Sequence, residues 1–158
     1  QPDACFDCGP HITWREAEGD MELEGSGATP AVGSTRETSD AIIDRCVELL
    51  ASGGIVAIKG LGGFHLACNA ANEQAVVELR RRKRRSNKPL AVMVRSLADA
   101  ERLCHIDGVE RDLLAGSVRP IVLLRRRAAG SDTHGSPNAL ELAPSVAHDL
   151  PELGVMLP

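Results

Sequence analysis

The sequence predicts an α/β fold, and three observations carry the prediction. Short aliphatic runs at residues 55–58 (IVAI), 90–94 (LAVMV) and 120–124 (PIVLL) have the length and composition of buried strands. Between them lie segments whose apolar residues recur at helical spacing. The 158-residue length suits one compact unit, and 43% apolar with 25% charged residues is ordinary for a globular chain.

The elements follow in order. Residues 1–37 are rich in acids, Gly and Thr, with strand candidates at residues 12–14 and 21–23, and read as a linker or leading hairpin. Thr38, Ser39 and Asp40 supply capping side chains for a helix with Ile42, Ile43, Cys46, Val47, Leu49 and Leu50 on one stripe. Gly53 and Gly54 stop it. The strand at 55–58 leads through Lys59, Gly60, Leu61, Gly62 and Gly63 to a second strand at 64–68. Asn72 caps the next helix, in which Val76, Leu79 and Lys83 share a face, so Lys83 is expected to continue the buried stripe. A strand at 90–94, helices at 97–104 and 109–114, a buried strand at 120–124, a loop at 128–138 and a strand at 154–157 complete the alternation of an α/β sheet.

Composition removes several function classes. No aliphatic run approaches the ~18 residues that span a bilayer, so no membrane partner is expected. No secretory leader is visible, and five cysteines in an odd set fit a reduced, cytoplasmic setting. Trp14, Phe6 and Phe64 are the only aromatics, too few for a base-stacking platform. The net charge of −4 hides a basic island: Arg80, Arg81, Arg82, Lys83, Arg84, Arg85 and Lys88 are seven cations within nine residues. A basic island on an acidic body points to a local anionic ligand.

The candidate chemistry is correspondingly electrostatic. Gly60, Gly62 and Gly63 fail the Walker template, because Lys59 precedes the glycines, and the dinucleotide template, because His65 stands where a third glycine belongs. What remains is backbone that a ligand can approach closely, or simply a tight strand connection. His65 reads as a core or rim histidine or as a donor at the turn. The basic run reads as a solvated face, with Glu78 and Arg82 as a helix pair, or as a phosphate clamp fixed at the sheet edge by residues 85–89. Arg119, just before a strand, is a second clamp candidate or a surface charge, and Arg125 to Arg127 read as exposed. Cys5 and Cys8 have the C-x2-C-G spacing of a zinc knuckle, a half-site for Zn²⁺ in this chain. No Ser/His/Asp or Cys/His set can be assembled from spacing.

Taken together, the C-x2-C-G-P run at 5–10, KGLGGFHLAC at 59–68, the K-x-R-x2-KPLAVM run at 83–93, RPIVLL at 119–124 and LGVMLP at 153–158 resemble the HypF family of hydrogenase-maturation carbamoyltransferases. The resemblance implies a YrdC-like domain over residues 38–158, truncated at its C-terminus, preceded by the tail of a zinc-finger region over 1–37. It implies a twisted mixed sheet flanked by helices around a concave basic cleft. The implied activity joins carbamate, released from carbamoyl phosphate by another domain, to ATP with Mg²⁺, giving carbamoyl-adenylate and pyrophosphate. The carbamoyl group then goes to the partner HypE, on the way to the cyanide ligands of [NiFe]-hydrogenase. Lys59, Lys83, Arg85, Lys88 and Arg119 are implied around the triphosphate, with Gly60, Gly62 and Gly63 offering backbone and His65 facing the carbamate. Asn69 and Ala71 depart from the usual Asp and Thr, and a Ser-x-Asn nucleotide segment is expected beyond Pro158. A double-stranded RNA-binding module and the threonylcarbamoyl-adenylate synthase of tRNA modification are the alternatives.

Overall fold

The computed structural model describes residues 12–15, 36–60, 62–85, 88–127, 141–148 and 150–158. It divides into two compact units, residues 1–52 and 53–158. Cys5, Cys8, the strand expected at 21–23 and the loop at 128–138 lie outside the described residues.

In the first unit, helix α1 spans Arg36–Ala51. Two thirds of its expected stripe is covered: Ile42, Cys46, Leu49 and Leu50 are partly buried, whereas Ile43 and Val47 are exposed. The Arg45 guanidinium lies 5.1 Å from the centre of the Trp14 ring. Residues 12–14 adopt no strand, contrary to their apolar pattern, because no partner strand pairs with them among the described residues.

The second unit holds two sheets. Strands β1 (Ile55–Gly60) and β2 (Gly63–Cys68) form an antiparallel hairpin, closed by a Gly60–Gly63 pair around a two-residue turn. Helix α2 (Glu73–Lys83) packs on β2 and starts as expected, with the Asn72 side chain accepting from the Ala75 N–H at 3.0 Å. Then follow β3 (Val92–Met93), α3 (Leu97–Leu103), β4 (Cys104–His105), α4 (Gly108–Ala115), β5 (Val122–Arg126), a 3-10 turn (Pro144–Val146) and β6 (Glu152–Met156). Ser96 caps α3, and Asp107 with Glu110 closes a capping box on α4. The sheet order is β3-β6-β5-β4, with β3 parallel to β6 and the other two pairings antiparallel, so the sheet is mixed.

One face of this sheet carries the core. Val122, Leu124, Leu153 and Val155 are buried with Leu114, Cys104, Val76 and Val146. The other face explains a correction. Residues 120–124 were expected to be buried throughout, but an antiparallel strand alternates, and Ile121 and Leu123 stand exposed beside Gly154. Three further expectations change. Only residues 92–93 of the 90–94 run join the ladder, Cys104 belongs to β4 rather than to a helix, and Arg126 and Arg127 are half-buried. The two arginines bond backbone: Arg127 Nε donates to the Glu101 carbonyl at 2.7 Å and Arg126 to that of His148 at 3.1 Å.

The largest departure lies on α2. Its buried residues are Ala75, Val76, Leu79 and Arg80, while Lys83 is exposed. The helix ends at Lys83, and Arg80 fills the last inward position. Its guanidinium donates to the carbonyls of Ser145 (2.5 Å), Val146 (3.0 Å), Arg85 (3.1 Å) and Lys88 (3.0 Å). Only a planar, many-donor cation can serve so many oxygens at once.

Arg80→Met, which keeps the length and removes the donors, is expected to lower unfolding free energy by about 3 kcal/mol at unchanged m, measured by urea denaturation. Burial pushes the Cys104 thiol up from 9.0 to about 11. The unfolded chain therefore ionises first, so stability is intact below pH 9 and declines as pH climbs toward 11; Cys104→Val should flatten that decline in denaturation curves.

Candidate functional site

Two groups of the singled-out residues emerge, one on the hairpin and one at the end of α2. At the hairpin, register fixes which side chains share a face. Lys59 pairs with Phe64 and Ile58 with His65, and since strand side chains alternate, Lys59 and His65 project to opposite faces. Lys59 Nζ lies 5.8 Å from the Phe64 ring centre, a cation on an aromatic face. His65 is exposed, not a core histidine, and its ring lies near Gly60, where an added Cβ would meet it at 3.7 Å.

Gly63 takes φ +137°, a region closed to other residues, and so makes the turn possible. At Gly62 and Gly63 alike an added Cβ would meet nothing within 4 Å among the described residues, so at Gly62 space does not require the glycine.

At the end of α2, Arg84 caps the helix in the left-handed conformation (φ 49°, ψ 40°), its N–H reaching the Arg80 and Arg81 carbonyls. Arg85 follows, half-buried, its Nε enclosed without a hydrogen-bond partner among the described residues. Lys83 and Lys88 are exposed. Because the carbonyls of Arg85 and Lys88 are both held by Arg80, the path from the helix to β3 is pinned at each end. Two bonds from Arg81, at 2.7 and 2.8 Å, and one from Arg82, at 2.6 Å, hold the Glu78 carboxyl down at about 2. Glu73, at the other end of α2, is likewise held below the usual carboxylate range by the Ser145 hydroxyl and N–H.

Arg119 too is left-handed (φ 43°), and its guanidinium donates to the Pro158 carbonyl, two residues beyond β6. Among the described residues no three His, Cys, Asp or Glu side chains converge as metal ligands. Burial pushes the Cys68 thiol up, away from nucleophilic use at neutral pH. No described helix is long and apolar enough to cross a membrane. Sequence reasoning missed Arg80, which positions the basic loop, and Phe64, which shares a face with Lys59. An Arg in step with Val76 was the available signal for the first, and the strand register for the second.

Comparisons with known proteins bear on the family and the fold. The Sua5/YciO/YrdC family model, described as "Telomere recombination", matches residues 48–158. Carbamoyltransferase HypF2 of Cupriavidus necator is 50% identical over 128 residues, covering 81% of this chain and 15% of that protein. The crystal structure of full-length HypF in its phosphate- and nucleotide-bound form superposes with TM-score 0.62 at 46% identity, over 72% of this chain and 16% of the other. Threonylcarbamoyl-AMP synthase of Bos taurus is 35% identical over 112 residues, 68% of this chain and 40% of that enzyme. The chain thus spans 15% of the HypF2 relative it matches, and the resemblance to HypF read from residues 59–68 is borne out.

Gly62→Ala should leave the urea midpoint unchanged, because its methyl meets no neighbour among the described residues, as denaturation curves of the two proteins would register.

Proposed function

The chain belongs to the Sua5/YciO/YrdC family, and from that premise we propose that it is the adenylate-forming portion of a HypF-type carbamoyltransferase. The observation that carries this reading is KGLGGFHLAC at residues 59–68, folded as a glycine-tipped hairpin with a lysine in the pair next to its closing glycines, in a chain 50% identical over 128 residues to a HypF relative.

In this reading a carbamate oxygen attacks the α-phosphorus of ATP, the bond from that phosphorus to the bridging oxygen breaks, and pyrophosphate leaves. Carbamate is already an anion, so no proton is moved, and the barrier is one of orientation and charge repulsion. Fixed cations answer that need, and Lys59, Lys83, Arg85 and Lys88 supply them, with Arg119 from the segment before β5. Gly60, Gly62 and Gly63 let the nucleotide or carbamate approach the turn, and His65 donates to carbamate. Mg²⁺ would travel with the triphosphate, as no carboxylate cluster among the described residues offers it a cage. Cys5 and Cys8 would contribute to a Zn²⁺ site outside the described residues. The carbamoyl group would leave for HypE in the cytoplasm.

Similarity to threonylcarbamoyl-AMP synthase supports a second reading, with threonine and bicarbonate in place of carbamoyl phosphate. The test is carbamoyl-phosphate-dependent exchange between ATP and pyrophosphate in the full-length enzyme. Lys59→Ala and Lys83→Ala should each slow exchange about 100-fold. Unchanged exchange in both variants removes them from the site, and exchange driven by threonine and bicarbonate alone favours the second reading.

A further inference from the structure

Two residues of the hairpin are costly when each is taken singly. Phe64, one of three aromatic side chains in the sequence, leaves 68% of its surface in solvent. It belongs neither to the buried core nor to the apolar residues packed against that core. Lys59 carries a full charge and makes no hydrogen bond or ion pair among the described residues. Residues 55–68 contain no acid that could answer it.

The ladder register joins the two. Lys59 and Phe64 stand directly opposite each other in the pair next to the closing glycines, and so share a face. Lys59 Nζ lies 5.8 Å from the ring centre. That is inside the ~6 Å over which the negative face of a ring attracts a cation. The usual holder of a surface cation is a carboxylate, as Glu78 holds Arg81 and Arg82 on α2. A carboxylate takes up the cation's donors and cancels its charge. A ring attracts the ammonium through its quadrupole and leaves the net charge whole, while narrowing the rotamers of a flexible stem. A lysine that must meet an anion is better held by a ring than by an acid.

We propose that Phe64 is a positioning residue for Lys59: its ring holds the ammonium beside the glycine turn without neutralising it, so that an arriving anionic oxygen finds the cation already placed. The use of this contact in adenylate formation rests on the role given to Lys59 above; the contact itself does not. The rival account is a lone apolar side chain left at the surface, which is ordinary in folded proteins. The electronics of the ring separate the two accounts, because apolar surface alone is indifferent to them.

Replacing Phe64 by a trifluorinated phenylalanine keeps its shape and apolar surface and drains the negative face of the ring, and two readouts follow the change. With lysine isotopically labelled for NMR, the 158-residue chain shows only Lys59, Lys83 and Lys88. The Lys59 ε-methylene signal, assigned by its loss in Lys59→Ala, should lie upfield of the other two in the parent. It should move toward them on fluorination and join them in Phe64→Leu. In the full-length enzyme, fluorination should slow carbamoyl-phosphate-dependent exchange between ATP and pyrophosphate about 2- to 5-fold. Phe64→Tyr should keep the parent rate, and fluorination in a Lys59→Ala background should change nothing further. A Lys59 signal that coincides with the other lysines in the parent overturns the proposal. So does equal slowing by fluorination when Lys59 is already replaced. If Lys59→Ala slows exchange and neither fluorination nor Phe64→Leu does, the positioning role falls and the role of Lys59 stands. If Lys59→Ala leaves exchange unchanged, both fall together.

Discussion

Arg80 ties three parts of the second unit that sequence separates: the end of α2, the segment at residues 85–88, and the 3-10 turn at Pro144–Val146. Backbone carbonyls turned inward from loops have no ladder to join, and leaving them unmet is expensive. A guanidinium brings five donors in one plane, so a single side chain can answer several of them. The consequence reaches beyond stability. With Arg80 turned inward and occupied, the cations around it are displayed from a fixed backbone rather than from a loose tail, and Lys83, Arg84, Arg85 and Lys88 acquire defined places. Glu73 reinforces the clasp from the other end of α2 through Ser145, so the helix is bound to the 3-10 turn at both of its ends.

That inward arginine also marks the limit of what residue type reveals. A run of basic residues on a helix has one solvated side and one side facing the protein, and the run is long enough to supply both. The spacing 76, 79, 83 and the spacing 76, 79, 80 are equally good helical stripes. Sequence periodicity therefore could not decide whether Lys83 or Arg80 closed the buried face. The fold decided it, because carbonyls waited opposite position 80 and the helix ended at 83. The hairpin was more legible. Glycines between two apolar runs left little choice but a tight reversal, and Gly63 at φ +137° shows why the glycine is needed. The cap at Asn72 likewise marks a helix start by side-chain chemistry alone. The two-residue strands β3 and β4 were not legible as such, because their pairing is made by distant segments and not by their own composition.

Alternation along the hairpin constrains how its residues can cooperate. Lys59 with Phe64 and Ile58 with His65 stand on opposite faces of a two-stranded ribbon, so one small ligand lying against either face meets only one of the two polar groups. A reacting centre served by both Lys59 and His65 must sit where the faces merge, at the tip. There the closing pair is Gly60 and Gly63, with Gly62 open to space, and none of the three carries a side chain to bar passage from one face to the other. The glycines then do more than shape the turn: at these three positions no side chain stands between the cation and the histidine, whereas at Lys59 and His65 themselves the ribbon separates the two faces.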